Sequence, residues 1–307
     1  MFDCILVPLD GSPAAEAALT VAEAIPSRCA RLLAVETEED ELGAVCFGSR
    51  DCAAYLDRVA VNLRAQGRDV ETVVECGDPA SRIAASAATA DLVVMGSHVR
   101  GGMGRVLLGS VAEWVAQHSP IPTMIVRGGQ RPAATLPLTR IVVPLDGAPG
   151  AEEALPFASA LADVLGLPVH VVSVVVSEPG RAGSGPLGRA HLRSWETAIG
   201  NASAYLSDIA RSLRNRNLRA TCEPRTGPLI GELLAAIRPG DVVVLASPER
   251  GRVERWWLGS VSKALITRAA GPVVVVKPRA ARPAERGGDV LSAEAKPAPS
   301  AAGVQMS

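Results

Sequence analysis

The chain has 307 residues, 48% of them hydrophobic and 21% charged, enough apolar material for a packed core in each of about two domains. A formal net charge of −1 gives no overall electrostatic pull toward nucleic acid or an anionic membrane, and 3% aromatics leave little for base-stacking surfaces. Met1 to Pro8 lacks the basic and apolar regions of a signal peptide, and no apolar run approaches the roughly 20 residues of a membrane span, so the expected location is cytoplasmic. The six cysteines form no C-x-x-C pair and read as reduced thiols.

Taken in order, the first half begins with a short apolar strand closing at Asp10-Gly11. An alanine-rich helix over Pro13 to Ala24 follows, then a strand over Leu32 to Glu36 and a longer helix over Asp51 to Gln66. A third strand covers Asp69 to Glu75, and a short helix opens at Asp78-Pro79. The fourth strand is Asp91 to Met95. A glycine-rich loop leads from it into a helix over Ser110 to His118, and a last strand covers Pro122 to Val126. Continuous Val/Ile/Leu strands alternating with helices imply a parallel sheet covered on both faces and wound by right-handed crossovers.

The second half repeats the pattern. Cys4 to Pro13 returns as Arg140 to Pro149, with Asp10 falling on Asp146 at an offset of 136. Leu107-Leu108-Gly109-Ser110-Val111 returns as Trp257-Leu258-Gly259-Ser260-Val261 at an offset of 150. The 14 extra residues fit a surface loop in the Gly/Arg/Pro-rich stretch from Pro179 to Arg189, ahead of a helix over Ser194 to Asn215. The other expected helices run from Gly150 to Leu165, from near Pro228, and from Ser260 to Arg268. The expected fold is therefore α/β: two tandem doubly wound, Rossmann-like domains of five parallel strands, in which strands one and four are neighbours if the order is 3-2-1-4-5. Their expected bounds are 1–130 and 137–279, and the Ala/Pro/charge-rich tail over 280–307 predicts disorder.

In an open doubly wound sheet, ligands bind beyond the carboxyl ends of the strands, where the strand order reverses. Two loops of the first half would meet there: Asp10-Gly11-Ser12, and the segment from Gly96 to Ser110 with five glycines. Such glycines permit positive φ and let N–H groups converge on an anion, and Gly109-Ser110 opens a helix whose positive dipole end favours phosphate. Arg100 and Arg105 add charge. Asp10 is unsuited to phosphate; it would accept from a nucleoside, hold a metal, or cap its own helix. His98 and His118 lie too far in sequence from cysteine or carboxylate partners to suggest a metal site.

The Val-Pro-Leu-Asp-Gly-Ser start, the Gly-x2-Gly-x9-Gly-Ser/Thr type of loop and the closing His118 to Val126 resemble the universal stress protein family in its tandem two-domain form. The resemblance covers nearly all of residues 1–279. It implies ATP or a related adenine nucleotide, with or without Mg, held between strands one and four. Asp10, Gly11 and Ser12 would lie at the adenosine, and Val35 would meet adenine through its backbone. Met95 and Gly96 would open the phosphate loop, with His98 and Val99 facing the nucleotide. Gly109, Ser110 and Val111 would hold phosphate. Asp146, Gly259 and Ser260 are the weaker counterparts in the second half. The family also implies a pseudo-dimer of the two halves through their last strands, with a homodimer as a further option.

The chain departs from the family pattern. Val99 stands at the motif's second glycine, where a β-branched residue resists positive φ. In the second half Ala246 and Glu249 replace the first two motif glycines, and Pro248 stiffens the loop. A carboxylate about 4 Å from phosphate costs of order 4 kcal/mol at an effective dielectric near 20. Arg250, Arg252 and Arg255 oppose that cost, but the expectation is poor nucleotide binding in the second half. A nucleotide-binding regulator of the stress response is thus favoured over a slow ATPase, because the loop lacks Gly-Lys-Ser/Thr and no base is placed for turnover. A ligand-free dimerisation scaffold is the third reading.

Overall fold

The computed structural model describes residues 1–37, 49–97, 100–102, 105–128, 137–176, 186–246 and 258–277, with backbone alone at 49–50, 100–102, 105–107 and 186–193. The first half runs β1 (Phe2–Pro8), α1 (Pro13–Glu23), β2 (Ser27–Glu36), α2 (Ser49–Ala65), β3 (Asp69–Cys76), α3 (Pro79–Ala87) and β4 (Leu92–Ser97). It continues with β5 (Arg100–Gly102), β6 (Arg105–Leu107), α4 (Ser110–His118) and β7 (Thr123–Arg127). The second half runs β8 (Arg140–Pro144), α5 (Pro149–Glu152), α6 (Ala154–Leu165), β9 (Val169–Val175) and α7 (Pro186–Asn215). It ends with β10 (Ala220–Thr226), α8 (Leu229–Ala236), β11 (Asp241–Ala246), α9 (Ser260–Arg268) and β12 (Val273–Val276).

The strands form one ten-stranded sheet in the order β10-β9-β8-β11-β12-β7-β4-β1-β2-β3. Within each half the order is the expected 3-2-1-4-5, and every pairing is parallel. The two halves meet at an antiparallel pair, with Val274 of β12 opposite Met124 of β7. Central strands such as β4, β8 and β12 are buried almost throughout, because helices cover both faces and leave no side of the pleat to water.

One face of the first half packs α1 and α2 through Ala15, Ala18, Leu56 and Leu63. The other packs α3 and α4 through Ile83 and Val115. Local chemistry sets the helix starts. Ser12 Oγ accepts from the Ala15 N–H ahead of Pro13, and Asp78 accepts from the Ser81 N–H ahead of Pro79. Arg68 closes the other end of α1 by donating to the carbonyls of Ala22 and Glu23.

Three expectations shift. β2 starts at Ser27, five residues early, because its polar first turn is held by ladder bonds to β1 and β3, a source of order that hydropathy does not report. α7 begins at Pro186, so the end of the insertion is helical, and its residues 179–185 lie outside the described residues. Gly101 and Gly102 do not sit in an open loop. They face Val106 and Arg105 in a small antiparallel ribbon. Cys46, the link at 129–136 and the tail at 280–307 lie outside the described residues.

Candidate functional site

Strand order reverses between β1 and β4, and a cleft of about 430 Å³ opens above their carboxyl ends. That volume lies within the range of small-molecule sites. Its floor is the ends of β1, β2 and β4: Pro8, Leu9 and Asp10; Leu33 and Val35; Met95, Gly96 and Ser97. Pro79 and Ile83 of α3 form one wall. Leu108 to Ala112, the entry to α4, form the other.

The two ends of the cleft differ chemically. Leu33, Val35, Pro79 and Ile83 make an apolar slot suited to a flat ring. At the α4 end, Gly109 is the helix N-cap and supplies no side-chain cap, whereas α1 and α3 are both capped by side chains. The first-turn N–H groups of α4 therefore open on the cleft with the positive end of the helix dipole, the arrangement that accepts an anion. Ser97, 2% exposed, holds this entry in place: its Oγ accepts from the Gly109 N–H at 3.3 Å, and its carbonyl accepts from the Gly128 N–H at 3.0 Å.

Of the residues singled out in the first half, the structure brings Asp10, Ser12, Val35, Met95, Gly96, Gly109, Ser110 and Val111 to this cleft. Gly11 stands apart from the lining. At φ +73° it forms the turn in which Asp10 Oδ1 accepts from the Ser12 N–H at 3.0 Å. Ser12 caps α1, so Asp10 does not. His98 and Val99 lie outside the described residues, as do Pro248, Glu249, Arg250, Arg252 and Arg255; the side chains of Arg100 and Arg105 do too. His118 stacks on Trp114 with ring centroids 4.1 Å apart and bonds the Trp114 carbonyl, a helix-end role.

Gly96 owes its identity to packing. A Cβ on Gly96 would stand 2.2 Å from the Ala14 carbonyl oxygen, so glycine is what lets α1 lie close on β4. Gly109 is extended, at φ −60°, and needs no positive φ. Sequence reading missed the α3 wall and Ser97. The i, i+4 spacing of Pro79 and Ile83 was a usable signal for the wall. A lone serine carries no mark of burial.

The second half keeps the frame but fills it differently. Asp146 Oδ1 accepts from the Ala148 N–H at 2.9 Å, repeating the Asp10 turn, but Ala148 cannot cap its helix as Ser12 does. Gly259 and Ser260 open α9, again without a side-chain cap. Leu229 replaces Pro79, and Leu258, the counterpart of Leu108, is only 4% exposed in a cluster with Val172, Leu233 and Leu245.

Among the described residues, no helix is long and apolar enough to cross a membrane, and no group of three or more His, Cys, Asp or Glu side chains could hold a metal ion.

Known proteins carry the same pattern. The chain is 36% identical over 132 residues to a universal stress protein of Mycobacterium tuberculosis, a match spanning 40% of this chain and 45% of that one. A universal stress protein of Mycolicibacterium smegmatis is 26% identical over 215 residues, 69% of this chain and 70% of its own. Among solved structures, a universal stress protein from Archaeoglobus fulgidus overlaps 89% of this chain and 98% of its own at a TM-score of 0.60 and 21% identity, a likeness of fold. The family model described as the universal stress protein family matches twice, over residues 1–127 and 137–277. With both halves matched and the paired 3-2-1-4-5 sheets in place, the chain belongs to the universal stress protein family, in tandem form.

Proposed function

We propose that this chain is a stress-response regulator of the cytoplasm that binds one ATP or related adenine nucleotide in its first half and acts through a change of shape or partner. The observation that carries this reading is the cleft at the strand-order reversal, which joins an apolar slot to a helix entry without a side-chain cap. Adenine lies in the slot against Val35, Pro79 and Ile83. The ribose lies toward Asp10 and Ser12, and phosphate meets the N–H groups and hydroxyl of Ser110 and Val111 after Gly109. His98 and Val99 are assigned to the phosphate side of this site from sequence alone. Asp10 is the only carboxylate among the described lining residues, so a Mg ion would arrive bound to the phosphates and not in a carboxylate site of the protein.

Binding is favoured over turnover: the described lining residues present no His or Lys to act as a base beside Asp10, and the loop has no Gly-Lys-Ser/Thr sequence. Residues 137–279 form the partner domain of an intramolecular pseudo-dimer, and their nucleotide site, at Asp146, Gly259 and Ser260, is weak. Leu229 stands at the place of Pro79, and Leu258, the counterpart of Leu108, is buried in the core.

Isothermal titration with ATP, ADP and AMP tests the assignment. The expected stoichiometry is one nucleotide per chain, abolished by Val35→Trp, which fills the slot. Two equivalent sites would remove the asymmetry between the halves. No heat, with no thermal shift from any of the three, would leave the scaffold reading.

A further inference from the structure

The junction between the halves is a near-perfect dyad. Residues 123, 124 and 125 of β7 face 275, 274 and 273 of β12, so each position meets the counterpart of its mirror position, with Met124 opposite Val274 on the axis. Under such symmetry a helix residue close to the axis faces its own counterpart. Glu113 and Lys263 occupy the same place in α4 and α9, the fourth residue of each helix, and they meet across the junction at 2.5 Å between Lys263 Nζ and Glu113 Oε1. Both side chains keep partial exposure, 31% and 43%.

The charges are not explained by their own helices alike. Glu113 lies in the first turn of α4, where a negative charge suits the dipole. Lys263 lies in the first turn of α9, where a positive charge opposes it and no acidic residue compensates. Its partner is across the junction. Arg127 adds a second crossing bond, donating to the Thr267 carbonyl at 2.9 Å.

We infer that Glu113 and Lys263 form a charge code that selects the unlike half as pairing partner and rejects a like half. Pairing of two first halves would set Glu113 against Glu113, and pairing of two second halves would set Lys263 against Lys263. Like pairing in a tandem chain joins one molecule to another in place of closure within the chain. The code therefore favours a chain that closes on itself, and it acts through repulsion in the wrong pairing as well as attraction in the right one. It does not depend on nucleotide binding.

The test uses the full chain. Glu113→Lys and Lys263→Glu each place like charges at the axis, and each lowers the thermal midpoint in low salt by about 2–4 °C, the shift that about 1 kcal/mol produces at this scale. The double exchange Glu113→Lys/Lys263→Glu returns the midpoint to that of the parent. In 1 M NaCl, where the screening length is about 3 Å, the three variants converge. When the two single variants are unfolded together and refolded, one isotopically labelled, native mass spectrometry shows mixed two-chain species above the level from either variant alone, because each half of one variant now meets the opposite charge on either half of the other and a like charge within its own chain. Additive losses in the double exchange would overturn the code. So would mixed species no more abundant than in refolded parent chain.

Discussion

His170 sits on β9 at 6% exposure, with Nδ1 2.9 Å from Thr221 Oγ1 and Nε2 3.2 Å from Glu223 Oε2. Burial holds its pKa below the ordinary 6.5, and Arg140 pushes the same way, while Glu223 and Asp241 pull against them. The folded chain therefore takes up this proton less readily than the unfolded chain. The stability contributed by neutral His170 is complete above about 6.5 and is lost as pH falls through that value toward the lowered folded pKa. Urea midpoints measured from pH 7.5 to 5 should fall more steeply for the parent than for His170→Gln; parallel curves would show that the site does not titrate in this window. Nothing in the sequence marks this residue, because a single histidine in an apolar run looks the same whether it faces water or Arg140.

At the scale of elements, the approach of α1 to β4 decides what the motif glycine is for. Gly96→Ala would drive a methyl into the Ala14 backbone, an overpacking cost of about 1–3 kcal/mol. It would also shift the helix entry that carries Ser12, weakening nucleotide binding. Gly259→Ala is the control: nothing lies within 4 Å of its added Cβ, and the cost should stay below about 1 kcal/mol. Equal losses in chemical denaturation would discard the packing account. The second half supports it from the other side. There Ala246 stands where Gly96 stands, Gly150 replaces Ala14, and the first helix is divided at Glu153 into α5 and α6. The repeat order, the helices and the paired Asp-Gly turns were legible in the sequence because hydrophobic period and turn residues are local signals. The reason for Gly96 was not, since it lies in a contact some 80 residues away.

Across the whole molecule, β7 and β12 each have neighbours on both sides, and separating them means parting the two halves. Among the described residues, β3 and β10 are the sheet's outer strands and lack a second neighbour. Backbone amides of Thr123–Arg127 and Val273–Val276 should therefore exchange with solvent more slowly than those of Asp69–Cys76 and Ala220–Thr226. Hydrogen exchange read by mass spectrometry would show this, and equal rates would mean that the junction opens as readily as an edge. The apolar side of the junction is shared: Ala116 and Ile125 of the first half pack in one cluster with Leu265 and Val273 of the second.

The sequence by itself determined two copies of one α/β pattern and the loops that close the strands of the first copy, because periodicity, turn chemistry and repetition are written along the chain. It also reached the family to which the chain belongs. Only the tertiary structure decided that the two sheets join as one, that the α3 wall completes the cleft, and that Gly96 serves packing. It alone showed that Glu113 faces Lys263. Each of these is a contact between residues distant in sequence, made by close packing and by the position of a symmetry axis, and neither of those has a local signature.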